Sequence, residues 1–248
     1  MIDILASAFF LSVVLLGIHS YFGLEIIKRG IIFTDLAIGQ MAALGAAVSI
    51  LFFHGEQMYL ISLCFALGAG LLNSIAFKRV EHPEAFIGLM YALGVSGVFI
   101  LLSKSPHGTE EFQNLMAADI LFTPFSEVLR TAILYSFLGI FIYFVLHKTK
   151  GTLKDILFFT TFAVTVTSSV KLAGVFVIFA LLIGPALIAL RSGTKKLVLT
   201  SWIIGIIVNL IAITISFQFD FPTGYTIVFF HAFVTMAAVL IMKKKQPG

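Results

Sequence analysis

The sequence predicts an all-α, polytopic membrane helical bundle of about eight to nine transmembrane helices. Composition points there first: 60% of the 248 residues are hydrophobic and only 11% are charged, and the mean hydropathy is +1.09. That balance belongs to an integral membrane protein. The apolar runs reach roughly 20 residues, enough for a helix to cross a hydrocarbon core of about 30 Å, and they lack the period-2 alternation of a barrel strand. Third, the cations gather in alternate connections between those runs.

In chain order the apolar segments fall at about 4–27, 31–53, 58–77, 84–103, 128–146, 156–170, 172–190, 197–217 and 224–242. No short, cleavable signal precedes the first, so we expect it to persist in the mature protein. Segments six and seven share a short stretch and meet at Lys171, so short, tilted or partly re-entrant helices are all open there. With the amino terminus outside and the carboxyl terminus cytoplasmic, one side collects Lys28, Arg29, Lys78, Arg79, Lys148, Lys150, Lys154, Arg191, Lys195, Lys196 and Lys243 to Lys245. These are 13 of the 16 Lys and Arg residues, a strong positive-inside bias that fixes this orientation as the expectation. The opposite connections carry Glu56, Glu110, Glu111, Asp119, Glu127 and Asp220. An acidic outer face is ordinary topology and also favours an approaching cation.

No connection is long enough for a soluble domain, so residues 1–248 read as one transmembrane domain. The net charge of +4 belongs to the cytoplasmic flanks and does not indicate nucleic acid. The single cysteine, Cys64, gives neither a disulfide framework nor a cysteine metal cluster. There is no G-x-x-x-x-G-K-[ST] phosphate loop and no Ser/His/Asp or Cys/His nucleophile arrangement. The chain is therefore not expected to be an enzyme or to hold a permanent cofactor. Energy for any active transport must come from an ion gradient or a partner.

The stretch KRGIIFTDLAIGQMAALG, Lys28 to Gly45, places Asp35 inside an apolar segment, near the middle of the bilayer on this reading. Asp35 shares a helical face with Gly39, Ala42 and Ala46, small residues that let another helix approach closely. Two readings stand: a packing face with Asp35 bonded to a neighbour, or a carboxylate lining a transport path. The cost of a carboxylate in lipid favours the path. Gln40 lies roughly 140° further round an ideal helix, which suits a packing amide or a polar wall better than a shared site. His19 and Glu25, near the inner end of the first segment, are further path candidates.

The outer connection SPHGTEEFQNLMAADIL brings His107, Glu110 and Glu111 within five residues, donor types that suit zinc or manganese at an outer mouth. A solvated acidic loop explains them equally simply. His54 and Glu56 form a weaker version of the same pattern, and His231 reads as a core histidine. Pro185 after Gly184 interrupts an apolar helix, where the missing backbone hydrogen bond should produce a kink, either a gate hinge or a static bend. Asp220, Pro222 and Gly224 mark a turn before the last segment.

Several stretches together resemble the membrane permease subunits of ABC importers for divalent metals of the zinc, manganese and iron group: KRGIIFTDLAIGQMAALG, HPEAFIGLMYALG, SPHGTEEFQNLMAADIL, SSVKLAGVFVIFALLIGPALIA and FDFPTGYTIV. The resemblance runs nearly the length of the chain. It implies a compact many-helix permease, a permease homodimer, two cytoplasmic ATP-binding subunits, an extracytoplasmic metal-binding protein and alternating access for a divalent cation. Many members carry Asp-x-x-x-His in the second helix. Here Leu36 and Gln40 hold those positions and Asp35 is the only acid, as in a glutamine-bearing branch. Many members also dock the ATPase through an acidic stretch and short helix. This chain has only HKTKGTLKD, so Lys148, Lys150, Gly151 and Lys154 are the docking candidates. A gradient-driven secondary transporter and a non-transporting scaffold or channel are the rival readings.

Overall fold

The computed structural model describes residues 2–242 apart from 119, 121, 122 and 147, with the side chains of 2–5 and 109 also left aside. Asp119 and Lys243 to Lys245, counted above in the charge pattern, lie outside the described residues, as does His147 of the docking stretch. Ten α-helices follow in order: α1 (Ile2–Arg29), α2 (Thr34–Phe53), α3 (Met58–Arg79), α4 (Pro83–Leu102), α5 (Gly108–Met116), α6 (Phe125–Phe141), α7 (Gly151–Ala173), α8 (Val175–Ser192), α9 (Leu197–Phe219) and α10 (Thr223–Ile241). A π-helical turn, Ile142–Leu146, extends α6. Among the described residues there is no strand, and nine of the helices are long and apolar enough to cross a membrane.

Three expectations need correction. The sixth span begins at Gly151 and runs to Ala173, because Thr152, Lys154 and Asp155, though polar, are helix-compatible and with Leu153 extend the helix beyond the apolar run. The break between the sixth and seventh spans is at Gly174, not Lys171. Gly174 has φ 82° and ψ 163°, a region open essentially only to glycine, whereas Lys171 remains in the helix with its side chain exposed. Third, within the acidic connection after the fourth span, Gly108–Met116 folds as a nine-residue helix, α5.

By contact, the chain divides into two compact units. The first holds residues 1–30, 119–132 and 176–248, and in it α1 packs on α9, and α9 on α10. Close backbone approach explains Gly23, where a Cβ would lie 2.0 Å from the Leu182 carbonyl oxygen. The Trp202 indole N–H donates to the Val13 carbonyl at 3.0 Å. His231 is buried and its Nε2 sits 2.7 Å from Asn209 Oδ1, which bears out the core-histidine reading. Helix α8 is continuous through Pro185, and a Cβ on Gly184 would lie 2.8 Å from Thr235 Oγ1. Hydrogen bonds between membrane helices contribute about 0.6 kcal/mol on average. Asn209→Ala is therefore expected to lower detergent stability by roughly 1 kcal/mol, measured as a melting shift, and to lose that effect when His231 is already phenylalanine.

The second unit holds residues 31–118 and 133–175. Helix α2 lies against α3, α4 and α7, and α3 against α7. Glycines set these crossings: a Cβ on Gly45 would meet the Ser62 backbone of α3 at 2.8 Å, and one on Gly70 the Phe159 carbonyl of α7 at 3.0 Å. This is the small-residue packing that apolar helices use in lipid, where burial in a neighbour gains little over burial in acyl chains. Tyr135 of α6 bonds Ser168 and Ser169 of α7, a buried hydroxyl network. At the other end of α7, Lys78 of α3 pairs with Asp155 at 3.5 Å.

Candidate metal-path residues of helix α2

Gly30, with φ 68°, ends α1 behind Lys28 and Arg29. The next apolar residues, Ile31 to Phe33, form a turn, and α2 starts only at Thr34. Asp35 thus occupies the first helical turn of α2 instead of its middle, which corrects the expected depth. It is nevertheless 0% exposed. Neither carboxylate oxygen has a hydrogen-bond partner, and the adjacent Thr34 hydroxyl is likewise buried and unpaired. The packing reading required Asp35 to be bonded to a neighbour, and that bond is not made among the described residues.

Position in the first turn offers the carboxylate the partial positive charge of the helix N-terminus, typically about 0.3–1 kcal/mol and up to about 2 in partly buried geometry. Burying an unpaired ion costs several kcal/mol. The dipole alone does not close that gap, so Asp35 in its ionised form calls for a positive counter-charge.

Gln40 is also 0% exposed. It turns toward α4 and α5. Gly94 of α4 leaves room for it, since a Cβ there would lie 2.7 Å from Gln40 Cβ. Its Nε2 donates to Met116 Sδ at 3.2 Å, while Oε1 is buried without a partner. Gly39 faces elsewhere, with a Cβ position 3.1 Å from Val175 and 3.7 Å from Val166. Asp35, one turn back from Gly39, therefore does not share Gln40's side of α2, in line with the helix geometry of the sequence. Gln40 and Met116 together present an amide oxygen beside a thioether, a mixed hard and soft donor pair.

The other candidates are dispersed. His19 is 0% exposed with Nδ1 2.7 Å from the Leu15 carbonyl. Glu25 reaches Lys28 at 3.5 Å, part-exposed. His107 occupies the N-cap position of α5 without a side-chain capping bond and is exposed, as is Glu110, and Glu111 keeps one buried, unpaired oxygen. Among the described residues no three His, Cys, Asp or Glu side chains converge as a metal-holding group. His54 lies in the exposed turn after α2, with φ 53°. Lys150 occupies the N-cap position of α7 without a side-chain capping bond, Gly151 begins the helix with φ 63°, Lys154 lies in its first turn and Lys148 in the turn before it. The docking candidates thus straddle a helix start.

Sequence reasoning passed over Met116, Gly94, Thr34 and Glu84, whose Oε1 accepts the Ile32 backbone N–H at 2.7 Å. The Pro83–Glu84 pair at the start of α4 was the local signal, since an acid in a first helical turn is favoured by the helix dipole.

Among the described residues, nine helices are long and apolar enough to cross a membrane and several of them bury polar side chains, the arrangement of a multi-pass membrane protein. The sequence matches the family model described as "ABC 3 transport family" over residues 1–242, and the chain belongs to that family. By that membership it is a membrane component of the ABC transport type. A curated relative from Chlamydia pneumoniae, named "Probable metal transport system membrane protein", is 22% identical over 194 residues, covering 71% of this chain and 66% of that protein. The chain thus spans just under two thirds of that relative's length. Among solved structures, PsaBC from Streptococcus pneumoniae in complex with Fab shares the fold at TM-score 0.77, with 19% identity, covering 97% of this chain and 92% of that one. The structure described as "An inward-facing conformation of a putative metal-chelate type ABC transporter" gives TM-score 0.66 at 14% identity, covering 94% of this chain and 84% of that one.

Proposed function

We propose that the chain, acting as a single permease domain over residues 1–248, imports a divalent metal cation (zinc, manganese or iron) by alternating access. The observation that carries this reading is the Asp35 carboxylate, fully buried in a membrane helix with neither oxygen bonded. A passing cation supplies the missing counter-charge, and the chain releases it when the path reopens. Gln40 Oε1 and Met116 Sδ stand as a polar wall on another side of α2, and His19 and Glu25 are further path candidates. His107, Glu110 and Glu111 are candidates for an electronegative outer mouth. Family membership and the metal-transport relative support this substrate class.

The reading places the amino terminus outside, the carboxyl terminus in the cytoplasm and the protein in the cell membrane, on the positive-inside pattern. It takes the working assembly to be a permease homodimer with two cytoplasmic ATP-binding subunits, fed by an extracytoplasmic metal-binding protein. ATP binding inside and delivery outside bias two states of the bundle. Gly184 and Pro185 are the proposed hinge, and Lys148, Lys150, Gly151 and Lys154 the proposed ATPase contact.

Copurification tests the coupling. Affinity capture of this chain from its host membrane is expected to bring down a nucleotide-binding chain in near-stoichiometric amount. Repeated capture of the intact permease without one would favour a gradient-driven transporter or a non-transporting scaffold or channel.

A further inference from the structure

In the second unit, a cleft of about 380 Å³ lies between the end of α3 that carries Lys78 and Arg79 and the start of α7. Its walls are Leu71, Ser74, Ile75 and Lys78, with Arg79 at the helix end, facing Thr152 and Ile156. Residues 71, 74, 75 and 78 recur at the three-and-four spacing of one helix face, and 152 and 156 do the same on α7. From Leu71 to Arg79 the helix rises about 12 Å. Over that distance the wall changes from aliphatic side chains, half-exposed at Leu71 and Ile75, through the Ser74 hydroxyl to two cations. Ser74 is itself 3% exposed yet lines the cleft.

Charge decides the occupant. Lys78 is held at the wall by Asp155 at 3.5 Å, so Lys78, Arg79 and Asp155 sum to one positive charge. The first turn of α7 adds the unpaired N–H groups of a helix start beside Thr152, which favour an anion. One positive charge above an apolar wall facing lipid matches a headgroup with one net negative charge and the acyl chains beneath it. Basic clefts between membrane helices recognise anionic lipids in this way.

We propose that this cleft binds an anionic glycerophospholipid, its phosphate between Arg79, Lys78 and the hydroxyls of Ser74 and Thr152, and one acyl chain along Leu71, Ile75 and Ile156. Assigning it to the cytoplasmic leaflet rests on the orientation proposed above. The binding itself does not, and the test is independent of transport.

Native mass spectrometry of the purified full chain in neutral detergent, titrated with dioleoylphosphatidylglycerol or dioleoylphosphatidylcholine, reads the site. Removing one cation near a membrane surface weakens anionic-lipid binding by about fivefold. The phosphatidylglycerol adduct is expected to be retained several-fold better than phosphatidylcholine. Arg79→Ala is expected to reduce that retention about fivefold with phosphatidylcholine unchanged, Arg79→Lys to restore part of it, and Ser74→Val to weaken it less. Monodispersity and helical circular dichroism of each variant report folding, and Ser74→Val keeps the test open should Arg79→Ala misfold. Equal retention of the two lipids, or selectivity untouched by Arg79→Ala and Ser74→Val, overturns the proposal. So does displacement of the lipid by millimolar inorganic phosphate, which would indicate an anion site without lipid character. If Arg79→Ala instead abolishes ATPase copurification and leaves lipid retention intact, the cleft belongs to the protein partner and the lipid reading is wrong.

Discussion

Asp35→Asn is expected to cut metal uptake at least about tenfold while leaving the assembled transporter intact. The substitution keeps the side chain's shape and removes only the charge. A carboxylate and a cation about 4 Å apart attract by roughly 4 kcal/mol at an effective dielectric of 20. A third of that is already a tenfold change in occupancy. The same substitution removes a buried, unbonded carboxylate, so the variant's melting temperature should hold or rise, because breaking no pair exposes no second charge. Uptake in proteoliposomes and melting in detergent thus move in different directions, which separates a path residue from a structural one. Wild-type uptake by Asp35→Asn removes this residue from the mechanism. Reduced uptake with a collapsed melting temperature assigns it to packing.

Gly174→Ala is expected to be strongly destabilising to the second unit. The residue combines φ 82° with a close approach in which a Cβ would lie 2.7 Å from the Ala117 Cα and N and from the Met116 carbonyl carbon. Such a backbone conformation costs a non-glycine residue about 1–3 kcal/mol, and overpacking adds about 1–3 more. The Ala118 N–H bond to the Ala173 carbonyl, 3.0 Å long, ties the same segments and would be strained. Because Met116 is the partner of Gln40, the damage should reach the α2 wall. We expect loss of several kcal/mol in detergent unfolding. A variant that melts like wild type would show that the α7 terminus can yield there.

Hydropathy made the nine spans legible because apolar length is the physical requirement for crossing a bilayer. Their ends were less so. Ile31 to Phe33 are apolar but non-helical, which placed Asp35 a turn too deep, and Thr152, Lys154 and Asp155 are polar but helical. Lys171 drew attention as a charge between two spans, while the backbone turns at Gly174, three residues on. The separation of Asp35 from Gln40 followed from helical periodicity alone and is what the glycine and valine contacts of α2 show. The Gln40–Met116 contact joins residues 76 apart in sequence, and no local pattern announces it. His107, Glu110 and Glu111 formed a plausible donor cluster by spacing. They occupy the N-cap and first turn of a short helix, no three such donors converge as a metal-holding group among the described residues, and their part at an outer mouth stays a proposal.

Vesicles containing this chain with its nucleotide-binding partner, supplied with zinc, manganese and iron in competition, test the central claim most directly. ATP should drive accumulation of at least one of these ions against its gradient, and the Asp35→Asn vesicles should accumulate about a tenth as much or less. Assembled vesicles that hydrolyse ATP yet accumulate none of the three metals would contradict the account.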